Sequence, residues 1–94
     1  GGLIGYQYGG YIDQVYSAAH FSGKGAGTDG GLIGAKSSTD PITNAYWDLT
    51  NSGAVTTSAG GVGLTTTQLQ NGTLPSGFSS SDWIVTAGSY PVLK

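Results

Sequence analysis

The pentapeptide Gly-Gly-Leu-Ile-Gly occurs at residues 1–5 and again at residues 30–34. A self-similar period of about thirty residues marks a repeat architecture, in which one unit buries its apolar face against the next. The match continues beyond the pentapeptide. One extra residue within 35–40 moves the offset from 29 to 30. Ile12 then falls on Ile42, Gln14 on Asn44, Val15 on Ala45, Tyr16 on Tyr46 and Gly23 on Gly53. The insertion sits in a polar stretch, where a surface turn tolerates a change of length.

Apolar residues come in short bursts: Leu3-Ile4, Ile12, Val15-Tyr16, Phe21, Leu32-Ile33, Ile42 and Tyr46-Trp47. No helical stripe is sustained across the repeats. Tyr, Ile, Val and Thr suit pleated, half-buried surfaces, and Gly-rich turns break the bursts. The pattern predicts three short strands per repeat, with one repeat forming one coil of a β-solenoid. Residues 1–53 are expected to hold two such repeats, 1–29 and 30–53. Their structural positions are Gly2, Leu3, Ile4, Gly5, Ile12 and Tyr16 in the first, and Gly31, Leu32, Ile33, Gly34, Ile42 and Tyr46 in the second.

Composition agrees with a stacked β-coil. Of 94 residues, 18 are Gly and only 9% are charged, against about 25% in ordinary globular chains. Tight corners use the positive φ that Gly adopts freely. The net charge is −2, and no basic cluster exists to release counterions from nucleic acid. No apolar run approaches the roughly 20 residues that span a bilayer, so membrane insertion is not expected. The chain has no Cys, which excludes disulfides and thiolate metal sites. It opens inside a repeat motif without Met, which predicts a piece of a longer protein. Upstream coils of that parent, or self-association through the N-terminal end, would then cover the first coil.

Residues 54–94 differ from the repeats and are expected to form a C-terminal cap. Residues 54–63 read as a loop or an extended edge. Thr65 and Gln68 have the spacing of a capping box, with Leu64 and Leu69 at the positions of a hydrophobic staple. Asn71-Gly72 ends that short helix. Pro75-Ser76-Gly77 is a turn. Residues 82–85 and 90–93 are strand candidates. Trp47 belongs with this cap, and Phe78, Trp83 and Leu93 are expected to cover the last coil.

These residues resemble the bacterial GLUG repeat. The resemblance rests on the doubled Gly-Leu-Ile-Gly, the following Ile and Tyr, Tyr46-Trp47-Asp48, and the late Trp83 with Tyr90-Pro91-Val92-Leu93. It covers nearly the whole chain. It implies a right-handed β-helix or related β-solenoid in a secreted bacterial surface protein, of the filamentous-haemagglutinin-like adhesin type. It carries over no catalytic residue, because the repeat is an architectural unit.

Other motifs have plainer readings. Residues 25–30 match G-x-G-x-x-G, but no helix pattern follows to hold a pyrophosphate. A Gly25-x-Gly27-x-Asp29 calcium turn would need tandem copies. Asp13, Asp40 and Asp48 do not fall at equivalent repeat positions, so turn or surface roles are expected rather than a glycosidase acid pair. His20 lacks a Gly-x-Ser-x-Gly partner for a triad. Asn71-Gly72-Thr73 fits the glycosylation sequon but reads as a helix stop. No catalytic residue, cofactor or metal is expected. Tyr16 and Tyr46 are expected to stack between coils. Tyr6, Tyr8 and Tyr11 crowd one turn and are the candidate glycan contacts.

The sequence reading is therefore a structural and adhesive segment that terminates a solenoid stalk at the bacterial cell surface. Its partners would be host or neighbouring-cell glycans or proteins. A carbohydrate-binding module using Tyr6, Tyr8 and Tyr11 is the alternative. A self-assembling or ice-binding solenoid is weaker, since Thr56-Thr57 and Thr65–Thr67 are not spaced by the repeat.

Overall fold

The structure is a computed structural model that describes residues 2–8, 10–20, 30–36, 41–52 and 58–94. The elements run β1 (Ile4–Gln7), β2 (Ile12–Ser17), β3 (Ile33–Lys36), β4 (Ile42–Asp48), β5 (Val62–Leu64), α1 (Thr66–Leu69), β6 (Trp83–Ile84) and β7 (Val92–Leu93). Two sheets are parallel, β1-β3 and β2-β4-β5, while β6 and β7 form an antiparallel pair.

The two repeats pair with each other in the register the sequence predicts. Ile4 is opposite Ile33, at an offset of 29. Ile12 is opposite Ile42, Val15 opposite Ala45 and Tyr16 opposite Tyr46, at an offset of 30. The residues around the insertion, 37–40, lie outside the described part, as do the expected equivalents Gly23 and Gly53.

The expected right-handed β-helix or β-solenoid is not what the chain forms. Among the described residues its sheets are two, three and two strands wide, short and unclosed. A closed coil needs a third strand to lead the chain back across the core. In the second repeat, residues 49–52 turn instead. Asp48 starts that turn: its Oδ1 accepts from the Asn51 N–H at 2.8 Å, and its carbonyl accepts from the Ser52 N–H at 3.1 Å. In the corresponding part of the first repeat, Ala19 and His20 carry no strand, and residues 21–22 lie outside the described part. The last sheet is antiparallel, so it does not continue the parallel stacking. Among the described residues the fold is strand-rich with one helical turn.

A shared irregularity sets which side chains face inward. Gln14 and Asn44 both have positive φ, 53° and 49°. A left-handed residue inside a strand acts as a bulge and shifts the alternation by one. Ile12 and Val15, three apart, thus join the same core, as do Ile42 and Ala45. Because both strands bulge at equivalent residues, the parallel register survives on either side. The core consists of Ile12, Leu32, Ile33, Ala45 and Trp47, with Ile4, Val15, Ile42 and Leu49 packed around it.

Glycine in the pentapeptide makes room for this core. A Cβ on Gly31 would overlap the Trp47 ring, and one on Gly2 would overlap the Ser17 hydroxyl and the Gly31 carbonyl. Ser17 and Trp47 are themselves register partners. The same motif glycine therefore lies against the same strand position in both repeats.

The tail is built from local signals. Thr65 caps α1 with both bonds of the capping box, and Leu69 is fully buried. Gly72, at φ 82°, lies just beyond the helix. Pro75-Ser76-Gly77 turns with the Phe78 N–H donating to the Pro75 carbonyl at 3.0 Å, and Gly77 has φ 86°. The start of this tail lies on the outer edge of the second repeat, where β5 pairs with β4 and the Ala59 N–H donates to the Ile33 carbonyl. Its later part packs along the side of β2 and β4 that faces away from the core. Phe78 and Trp83 are buried there, whereas Leu93 stays 68% exposed.

Candidate functional site

Alternation places Tyr16 and Tyr46 opposite the core residues Ala45 and Trp47. Each Tyr is held by the tail. The Tyr16 hydroxyl donates to the Pro91 carbonyl at 2.6 Å, and the Tyr46 hydroxyl donates to the Ser76 carbonyl at 2.7 Å. The Tyr16 ring meets Trp83 and Tyr90 at centroid distances of 5.9 and 6.1 Å, and Tyr46 meets Phe78 at 5.8 Å. Phe78 and Trp83 touch at 4.6 Å. The expected internal stack of Tyr16 on Tyr46 is thus a shared aromatic cluster with the tail. Burial raises the Tyr16 pKa above its ordinary value.

Asp48 forms the second anchor. It is only 1% exposed, so the turn role expected for it holds and the surface role does not. The Thr66 hydroxyl lies 2.8 and 2.7 Å from its two oxygens, and the Tyr90 hydroxyl donates to Oδ2 at 2.5 Å. Burial pushes its pKa up. The hydrogen bonds from Tyr90, Asn51, Thr66 and Thr50 outweigh that and leave it lowered. Burial, together with the bond to Asp48, raises the Tyr90 pKa. The carboxylate ties β4, α1 and the last strand segment together through neutral donors. Nothing in the spacing of Asp48, Thr66 and Tyr90 signals this junction. Only the short Trp47-Asp48 step at a strand end hints at it.

These anchors hold the tail against the repeats. Asp13 accepts from the Asn44 side-chain amide at 2.8 Å and from the Thr43 hydroxyl at 3.2 Å. It faces Thr43 in the register, not Asp48. Asp40, Thr56-Thr57 and residues 25–29 lie outside the described part. His20 is exposed, with Nδ1 2.8 Å from the Asn51 carbonyl. A hollow of about 380 Å³ is lined by Gln14, Ser81, Asp82, Trp83, Leu93 and Lys94. It carries one carboxylate, where glycoside hydrolysis uses two. Among the described residues no cluster of metal-ligating side chains forms. Thr65 and Thr66 sit at the helix start and are engaged there, Thr66 on Asp48.

The surface that stands out is the one around β1. Tyr6, Tyr8 and Tyr11 are 62%, 85% and 67% exposed, and Leu3 is 49% exposed. All four lie within nine consecutive residues. Isolated apolar residues on a surface are ordinary, but a group of aromatic rings is typical of contact sites. Tyr offers a rigid apolar face with a hydrogen-bonding tip. Tyr6 lies on a strand paired with the second repeat, opposite Ala35.

No protein-family model matches the chain. No curated protein and no solved structure is significantly similar to it.

Proposed function

We propose that the chain is a structural and adhesive segment of a secreted bacterial surface protein. The resemblance of its doubled Gly-Leu-Ile-Gly and Tyr46-Trp47-Asp48 to GLUG repeats supports the protein class and the compartment. The single observation that carries the adhesive role is the exposure of Tyr6, Tyr8 and Tyr11 beside Leu3. In this reading the paired repeats are the scaffold. Parallel ladders and the tail's anchors on Tyr16, Tyr46 and Asp48 hold the scaffold together, and the rings contact another cell.

A narrower reading, carbohydrate binding, is favoured by the ring chemistry. The flat apolar face of a Tyr matches the C–H face of a sugar, and its hydroxyl reaches the sugar's polar rim. Partners would then be host or neighbouring-cell glycans.

Cell-binding assays separate these readings. The labelled chain should bind target cells, and Tyr6→Ala with Tyr8→Ala and Tyr11→Ala should lower binding about tenfold or more while leaving the melting temperature unchanged. Periodate treatment of the cells should abolish binding if glycans are the ligand and leave it intact if a protein is. Equal binding by the chain and its triple variant would refute the adhesive surface.

A further inference from the structure

The two edges of the paired repeats differ chemically. On the outer side of β3, the Leu32 and Ile33 N–H groups donate to the Ser58 hydroxyl oxygen at 3.1 and 2.9 Å. The Ile33 carbonyl accepts from the Ala59 N–H at 3.0 Å. In the first repeat, the equivalent N–H groups of Leu3 and Ile4 both donate to the Leu32 carbonyl, each at 3.0 Å. Ser58 thus stands where the carbonyl of a neighbouring repeat would stand, and it closes that edge.

Among the described residues the opposite edge is open, and β1 pairs only with β3. Alternate residues of a parallel strand turn their N–H and C=O groups to opposite sides, and Ile4 turns toward β3, so Gly5 turns away. The Leu3 carbonyl is the equivalent of the Leu32 carbonyl that receives β1, and by that equivalence it faces outward. Gly5 is exposed, and a Cβ there would meet nothing within 4 Å. The sequence of β1, Ile-Gly-Tyr-Gln, has no Pro and no charge to blunt the edge. At its end Gln7 is 6% exposed, and neither its Nε2 nor its Oε1 has a partner. A buried amide left unpaired is costly, which makes this end of β1 a weak point of the strand.

We propose that the outer edge of β1 is a docking site for one further extended segment of the same repeat type, Gly-Gly-Leu-Ile-Gly-Tyr-Gln, added as a parallel strand. The template is the seating of β1 on β3. The N–H groups of the incoming Leu and Ile reach the Leu3 carbonyl, as those of Leu3 and Ile4 reach Leu32. A second folded copy does not offer these groups, because its own are engaged on Leu32 and on Ser58. The site is independent of what the tyrosine rings bind.

The test is titration of the 94-residue chain with the peptide Gly-Gly-Leu-Ile-Gly-Tyr-Gln, followed by nuclear magnetic resonance. Saturable binding is expected, with a Kd of about 1 mM or tighter. Exchange of the Gly5 amide should slow about tenfold or more, and the Gln7 side-chain amide signals should shift. A peptide N-methylated at its Leu and Ile should bind about tenfold more weakly or worse, since it lacks both donors. Absence of saturable binding, protection elsewhere in the chain, or equal binding of the methylated peptide would overturn the proposal. So would a concentration-dependent dimer that protects Gly5 without any peptide.

Discussion

The hydroxyl of Tyr90 donates to the buried carboxylate of Asp48 at 2.5 Å, across a separation of 42 residues. This bond joins the end of the second repeat to the end of the tail. It also makes stability depend on pH at both extremes. The Asp48 pKa is lowered in the folded chain, so its contribution is present above the unfolded carboxyl value and is lost as pH falls through the folded one. The Tyr90 pKa is raised, so its contribution is complete below the unfolded phenol value and is lost as pH rises through the folded one. Thermal melts from pH 2 to 11 should therefore show a plateau between about 5 and 9, with a fall on either side. In Asp48→Asn the acid limb should flatten, and stability at pH 7 should drop by about 3 kcal/mol, because Thr66 and Tyr90 lose a charged acceptor.

Tyr16 and Tyr46 each fix the tail through a hydroxyl-to-carbonyl bond. Tyr16→Phe and Tyr46→Phe keep the rings and remove those bonds. Each should cost about 1 kcal/mol, read as a melting temperature lower by about 4–8 °C. Loss of the ring in Tyr16→Ala should cost distinctly more, since Trp83 and Tyr90 both lose a neighbour.

The pentapeptide glycines should not respond alike. Gly31→Ala forces a methyl group into the Trp47 ring, whereas Gly5→Ala meets open space. Chemical denaturation should show Gly31→Ala destabilised by about 1–3 kcal/mol or more, as overpacking of a core does. Gly5→Ala should stay within about 0.5 kcal/mol of the parent.

The helix cap gives a local control. Thr65→Ala removes the acceptor for the Gln68 N–H, now 3.1 Å away. It should lower stability by about 1 kcal/mol, with no change at the β1 surface.

Parts of this fold were legible in the sequence because they are repeated or local. Ile12 on Ile42 and Tyr16 on Tyr46 follow from matched residues, and the register confirms them. The Thr65–Gln68 capping box and the turn at Gly77 follow from short-range chemistry. The bulge at Gln14 and Asn44 was hidden, because Gln gives no sign of positive φ, and Asn44, of a type that tolerates it, has only Gln14 as its equivalent in the first repeat. The side on which the tail packs was hidden for the same reason: it depends on where the bulge sends Tyr16 and Tyr46. In the second repeat the turn at 49–52 stands where the sequence leads one to expect a further strand. A polar turn held by the Asp48 carboxylate looks, in sequence, like one more polar gap between strands. Ser58 is a single hydroxyl in a Ser/Thr-rich stretch, so its closure of the β3 edge had no signal at all. Of the candidate site, the crowding of Tyr6, Tyr8 and Tyr11 was visible, but their exposure needed the structure.

The two repeats pair in parallel, with one edge closed by Ser58 and, among the described residues, the other open at β1. Amide hydrogen exchange of the free chain tests this most directly. The Ile4 N–H, bonded to the Leu32 carbonyl, and the Ile33 N–H, bonded to the Ser58 hydroxyl, should exchange slowly, and the Gly5 N–H should exchange about as fast as in an unstructured peptide. Protection of Gly5 equal to that of Ile4, or rapid exchange at Ile4 and Ile33, would contradict it.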